Sequence, residues 1–380
     1  MAVFNTSLRD SQSTDVEPIA PENFDFDAYC DYEAGLLPAN SAFAGAESGL
    51  LVYRRFRADG VFYDKCKNPG ESLALQLGAL QASMAYRADI ANFLEPWYGI
   101  GYITSCFGSN YSWRPGQAPE PEIKFGSCAE ILAQEPKPIK DTPIGKHILE
   151  MIEYFLDRTK GRMPVSFTDI QSPLNMLSYL MPTTELFMEF YSDREGLRQA
   201  AARVADLLTD FLREQAKLIG GALAKPGHGF ASSRVFHGVG ASDDMSLMLS
   251  AGDYEEIFMP LDEQIGEPFG GFCYHSCGNW AAKIDMVRRY RNILTADGAF
   301  GPETDPAPND PALFGRKFAG SGVCLNARCV GRADDVFPVF QKLWRPAQKL
   351  IAVTYCQTPE EQDILYGRLH ALTGGGSQCA

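Results

Sequence analysis

The tripeptide His275-Ser276-Cys277 ends an apolar run, Gly271-Phe-Cys-Tyr-His275, within the stretch Gly270 to Asn279. Side chains two residues apart on an extended strand share a face, so the imidazole and the thiol point the same way. Both are ligand types that zinc accepts, and a catalytic zinc needs only three protein ligands when a fourth position is kept for substrate. The pair predicts a metal centre, set against the plainer reading of Cys277 as an ordinary core thiol. Cys324, Cys329 and Cys356 are the candidates for a third ligand. Cys324 lies inside an apolar run and reads as core, and Cys329 falls in the loop beyond it. Cys356 directly follows the run Leu350 to Tyr355 and precedes Thr358-Pro-Glu-Glu361, which reads as a helix start with proline in its first turn. That position brings Cys356 to a strand end, as it does His275 and Cys277. Cys273 shares their face one layer deeper and reads as filling.

Further reactive residues follow other apolar runs: Asp169 after Val165-Ser-Phe-Thr168, Asp243 and Asp244 after the run around Phe236, and Asn326 and Arg328 after Gly322-Val-Cys. Any one of them is an ordinary turn residue. Together they require one surface on which strand ends converge. Of the other histidines, His147 and His370 read as solvated or packing residues, His237 as a core residue, and His228 as a loop residue able to line a pocket.

The elements that would supply that surface alternate along the chain. Short strand-like runs at 99–104, 163–168, 234–239, 271–275, 292–295, 322–326 and 349–354 are separated by amphipathic stretches at 144–157, 195–218, 250–265 and 333–343, with a further helix at 72–93. Strand and helix in alternation predict a parallel sheet. Seven runs, with an eighth unplaced, favour a closed (β/α)8 barrel, whose reactive residues gather at the C-terminal ends of the strands. The open dinucleotide-binding alternative fails, because the glycines at 99 and 101 are not followed by the third that such a turn requires. Residues 1–70 read as an irregular extension packed on a barrel of residues 71–380, its aromatics Phe24, Phe26, Tyr29 and Tyr32 supplying the packing face.

Composition limits the partners. The 380 residues carry a formal charge of −14 from 48 acidic and 34 basic residues, without a basic tract interleaved with aromatics, so nucleic acid is not an expected ligand. No secretory leader or membrane-length apolar stretch is read, and ten cysteines without regular spacing predict a reducing, cytoplasmic setting. A homodimer is expected on general grounds of oligomer symmetry.

His275-Ser-Cys-Gly278, preceded by Ser242-Asp-Asp-Met-Ser246 and the helix around Tyr254 to Pro260, resembles the uroporphyrinogen decarboxylase superfamily from about residue 72 to 370. Within it, the chain is most similar to the zinc-dependent corrinoid methyltransferases of the methylcobamide:coenzyme M and O-demethylase type. The resemblance implies a TIM-type barrel and zinc on His275, Cys277 and Cys356. It also implies a corrinoid (cobamide) delivered on a corrinoid-binding partner protein, and a small thiol or a methoxylated or methylated compound as methyl acceptor or donor. Asp169, Asp244 and Asn326 would orient substrate, with Tyr274 and Trp280 as apolar walls or simply as packing residues. The region Trp97 to Gly108 lacks the arginines and the aspartate that tetrapyrrole binding would need there, so porphyrinogen decarboxylation is not the expected reaction. Two alternatives stand beside methyl transfer: a zinc-dependent hydrolase or lyase with Asp244 as base, and a binding barrel whose cysteines are buried thiols.

Overall fold

The computed structural model describes residues 12–374. Six strands, β1 (Gly49–Arg54), β2 (Val239–Ser242), β3 (Phe272–His275), β4 (Ile293–Ala299), β5 (Cys324–Cys329) and β6 (Lys349–Thr354), form one parallel sheet in the order β1-β6-β5-β4-β3-β2. Hydrogen bonds from shorter segments carry the sheet round from β2 back to β1. Gly240 N–H donates to the Pro226 carbonyl at 2.9 Å. Val165 forms parallel bridges to both Leu223 and Leu94, and Asp89 N–H donates to the Val52 carbonyl at 2.8 Å. These segments stay short because Pro164 and Pro226 have no N–H to extend a ladder.

Alternation along the strands separates two cores. Leu50, Val52, Ala296, Leu325, Ala327, Leu350 and Ala352 point outward into the main apolar cluster shared with the helices. Leu51, Tyr53, Cys324, Ile351, Val353 and Tyr355 point inward to a smaller cluster that fills the barrel. The outer layer includes α1 (Phe26–Gly45), α2 (Pro69–Ser83), α3 (Pro143–Thr159), α4 (Pro173–Leu180), α5 (Thr183–Ser192), α6 (Arg194–Ile219), α7 (Ala251–Ile257), α8 (Met259–Gly266), α9 (Pro311–Phe318), α10 (Ala333–Leu343) and α11 (Pro359–Gly374). In α6 the buried positions Leu197, Ala200, Ala201, Val204, Ala205, Leu208, Phe211 and Leu212 recur at helical spacing, and Asp193 caps its first turn by accepting from Gly196 N–H at 2.9 Å.

Several sequence expectations change here. The segment before residue 71 is not an irregular extension, because it contains the 20-residue α1 and the strand β1 of the parallel sheet. The run 99–104 is no strand: Tyr102–Phe107 is a 3-10 turn, held by Thr104 Oγ1 donating to the Gly101 carbonyl and Ser105 Oγ to that of Tyr102. The run 234–239 contributes only its last residue to a strand, and His237 is exposed rather than core. The helix expected to reach residue 93 ends at Ser83.

Gly240, in β2, has no room for a side chain. A methyl group there would lie 2.3 Å from the Phe230 ring, which itself packs 6.3 Å from the His275 ring, centroid to centroid. Gly240→Ala is expected to destabilise the fold by about 1–3 kcal/mol through overpacking. Urea denaturation should show a lower midpoint with an unchanged slope.

Candidate functional site

His275, the last residue of β3, points inward by the alternation that sends Phe272 and Tyr274 to the outer core. It is directly cross-strand from Asp297 on β4, which is cross-strand from Asn326 on β5. The row becomes a hydrogen-bonded chain. His275 Nδ1 lies 2.6 Å from Asp297 Oδ2, Asn326 Nδ2 donates to Asp297 Oδ1 at 2.5 Å, and Arg328 Nε donates to Asp297 Oδ2 at 2.9 Å. Burial opposes the charge on Asp297, but Arg328 and His275 outweigh it and hold the carboxyl below its ordinary range. Burial likewise opposes the imidazolium of His275, and Asp297 and Cys277 more than offset it, raising the group to about 10.

With Nδ1 engaged by Asp297, Nε2 of His275 faces the mouth. Cys277 Sγ is 3.5 Å from it. Asp244, on the loop after β2, accepts from Cys277 N–H at 2.6 Å, and its carboxylate joins His275 and Cys277 in one group of donor atoms, all within 4.8 Å of one another. A zinc ion with bonds of about 2.0 Å to nitrogen and 2.3 Å to sulfur spans a tetrahedral edge of about 3.5 Å between those two atoms. The donor set and its spacing therefore fit zinc. A histidine whose second nitrogen is fixed by a buried carboxylate also matches the usual arrangement behind a metal-bound imidazole.

The loop bearing Asp244 is braced from below. Asp243, fully buried, donates its N–H to the His275 carbonyl at 2.7 Å. The Tyr254 hydroxyl lies 2.5 Å from Asp243 and 2.6 Å from Asp262. One phenolic proton cannot serve two carboxylates, so one of the acids must itself carry a proton. Burial accordingly pushes Asp243 up to about 7 and Asp262 well above the carboxylate range.

Cys356 does not join the donor group. Strand β6 alternates through Leu350, Ala352 and Thr354 outward and Ile351, Val353 and Tyr355 inward, so Cys356 falls on the outward side and packs in the helical core. Its carbonyl accepts from Arg54 Nε at 2.8 Å, and burial pushes its thiol up to about 12. The inward residue at the end of β6 is Tyr355. Asn326 also departs from its expected role: its oxygen accepts from Ala231 N–H and its nitrogen serves Asp297, so it positions the histidine's partner rather than substrate. Cys273 and Cys324 are buried filling inside the barrel, Cys329 ends β5 facing outward, and Tyr274 and Trp280 are fully buried core residues rather than pocket walls.

Asp169 belongs to a second polar group. Trp97 Nε1 donates to its Oδ2 at 3.0 Å, Gln171 Nε2 donates to its Oδ1 at 2.9 Å, and His228 Nε2 lies 3.4 Å away. The other ring nitrogen of His228 is 2.6 Å from Glu95, which is also 3.7 Å from Arg55. The two groups are neighbours, since a side-chain carbon on Gly229 would lie 3.8 Å from His275 Nδ1. Sequence reading missed Glu95, Asp297 and Arg55. Asp297 had a signal, since it shares the face of Thr295 two residues further along the same strand.

Residues 43–225 match the family model described as uroporphyrinogen decarboxylase (URO-D). The barrel is thus similar to the uroporphyrinogen decarboxylase family over residues 43–225. A solved structure described as a methyltransferase from Methanosarcina mazei superposes on 96% of this chain and 94% of its own length, with a TM-score of 0.53 at 10% identity, and shares the overall fold. The magnesium complex of β-methylaspartase from Clostridium tetanomorphum covers 89% of this chain and 73% of its own, but with a TM-score of 0.30 at 12% identity it carries no argument. No curated protein matches the sequence. Among the described residues, no helix is long and apolar enough to cross a membrane.

At this mouth Glu95 is held ionised. Burial alone would raise its pKa, but His228, Arg55 and Arg57 outweigh that and bring it from 4.5 down to about 2. Its stabilising contribution is complete above the unfolded value near 4.5 and is lost as pH falls through about 2. Wild type should therefore lead Glu95→Gln by an amount on the order of 3 kcal/mol at neutral pH, and the lead should shrink below about pH 4.5. Chemical denaturation of both proteins across that range checks this.

Proposed function

We propose that the barrel mouth is a zinc-dependent methyl-transfer site, moving a methyl group between a corrinoid carried on a partner protein and a small thiol or methoxylated substrate. The observation that carries the reading is the 3.5 Å separation of His275 Nε2 and Cys277 Sγ, with Asp297 fixing the opposite ring nitrogen. The barrel fold shared with the Methanosarcina mazei methyltransferase supports it. Asp244, His275 and Cys277 are the residues that would hold the ion. Zinc bound there would lower the pKa of a substrate thiol or polarise a methoxy oxygen.

The protein's own residues prepare that chemistry. Asp297 retains the proton of Nδ1, so that Nε2 is the nitrogen that would give up its proton to a metal at the mouth, while Arg328 and Asn326 keep Asp297 from turning. Asp244 fixes the Cys277 backbone through its N–H, and Phe230 covers one side of the imidazole against water. His228, held between Glu95 and Asp169, is placed to supply a proton to a departing oxygen or to accept one from an incoming thiol. Asp244, the base expected for a hydrolytic alternative, is instead part of the donor group.

The purified protein should contain about one zinc per chain by plasma mass spectrometry, matching one three-donor site. His275→Ala and Cys277→Ala should lose it, whereas Cys356→Ser should keep it. Loss in the Cys356 variant with retention in Asp244→Asn would reverse the ligand assignment. Asp297→Asn should weaken zinc binding about 10- to 100-fold in a chelator competition, since it removes the group that orients the imidazole. Zinc-loaded protein that moves no methyl group between methylcobalamin and any thiol or aryl methyl ether would refute the reaction.

A further inference from the structure

The N-terminal end of the barrel, opposite the mouth, holds a cavity of about 120 Å³. Its inner wall is one cross-strand row, Thr295 on β4, Cys324 on β5 and Lys349 on β6. This row lies two residues before that of Asp297, Asn326 and Ile351, on the same inward face. Barrel interiors are ordinarily filled by layers of bulky branched side chains. Here the row supplies a threonine, a thiol and a lysine, continued by Gly49 on β1, and so leaves space open. Phe43, Phe236 and Leu294 form apolar walls, the two phenylalanine rings 6.5 Å apart between centroids. Exposed His237 and Gly322 line the same cavity and open it to solvent, and a side-chain carbon on Gly322 would meet nothing within 4 Å.

Lys349 is the unusual member of the row. Its register with Cys324 turns it into the barrel, where a lysine is expected to pair with a carboxylate. Among the described residues it forms no ion pair. Its Nζ donates to the Ala44 carbonyl in the last turn of α1 at 3.0 Å and lies 5.1 Å from the centre of the Phe43 ring. An ammonium carries three N–H donors, so two remain. No acidic residue lines the cavity, although the chain has a formal charge of −14. A lone ammonium against apolar, partly aromatic walls is complementary to an anion with an apolar body.

We propose that this cavity is a second ligand site, separate from the mouth, for a small monocarboxylate whose apolar body lies between Phe43 and Phe236 and whose carboxylate meets Lys349. A closed cavity of about 150 Å³ lined by Leu, Ile and Phe takes benzene, so this somewhat smaller, open one suits a single ring with its substituent at the rim. Lys349 supplies one full positive charge, which matches a monoanion. The bound acid would rest two residues, about 7 Å along the strand, below Asp297. It would thus lie on the far side of the His275 row from the mouth. The site needs neither zinc nor turnover and goes beyond the methyl-transfer reading.

Isothermal titration of the full chain with phenylacetate and with phenethyl alcohol, its neutral counterpart, tests the site. Wild type is expected to bind the acid about tenfold tighter than the alcohol. Lys349→Gln should remove that preference while alcohol binding remains. Ala44→Phe, which fills the space beside Phe43, should abolish binding of both. Equal affinity for acid and alcohol in wild type, or no binding of either, overturns the proposal. So does an acid preference that survives Lys349→Gln or Ala44→Phe, since it would place the acid elsewhere, at the mouth above all. Should Ala44→Phe fail to fold, Lys349→Gln, at the half-buried first position of β6, decides alone. Neither variant touches the proposed zinc donors, so failure here leaves the methyl-transfer reading standing, and loss of that reading leaves this site standing.

Discussion

The buried carboxylate of Asp297 is the constraint on which the site depends. A charge with no solvent exposure is tolerated only when every oxygen is engaged, and here the partners come from the two strands that flank its own. His275, Asp297 and Asn326 occupy one cross-strand row, with Arg328 two residues further along β5 on the same face. A slip of one residue in β4 would turn Asp297 into the helical core and leave Arg328 buried without its counter-charge. The sheet register and the direction of the His275 ring are thus fixed together.

The same constraint explains how a strongly acidic chain concentrates cationic side chains inside its barrel. The surface carries the excess of carboxylates, whereas the mouth interleaves Arg55, His228, His275 and Arg328 with Glu95, Asp169 and Asp297. Each buried charge has an opposite neighbour, yet the pairing is incomplete at the two guanidinium tips.

Much of the fold was legible because buried strands and amphipathic helices leave strong patterns. The strand at 349–354 and the helix at 333–343 match the structure to the residue. Segment 99–104 was misread because its Ile, Tyr and Thr have strand propensity, while local hydroxyl bonds to the backbone outcompete a ladder. Helix α1 was missed because Gly35 and Pro38 interrupt it, although Asp25 caps its start. At the site, the spacing of His275 and Cys277 marked the two as neighbours, whereas Asp244, read from its place after a strand as a substrate-orienting residue, lies within reach of both. Cys356 was misplaced because being at a strand end does not determine the face. Alternation through Val353 and Tyr355 does, and it turns the next residue outward.

Arg328 ties the two halves of the mouth together. Its Nε holds the carboxylate that orients His275, while its Nη2 has no hydrogen-bond partner among the described residues. A planar guanidinium cannot rotate one edge without the other. Lysine, a single point charge on a flexible stem, could neutralise Asp297 but could not transmit an orientation. An arginine at this register position thus makes Asp297 and the aim of His275 parts of one rigid unit.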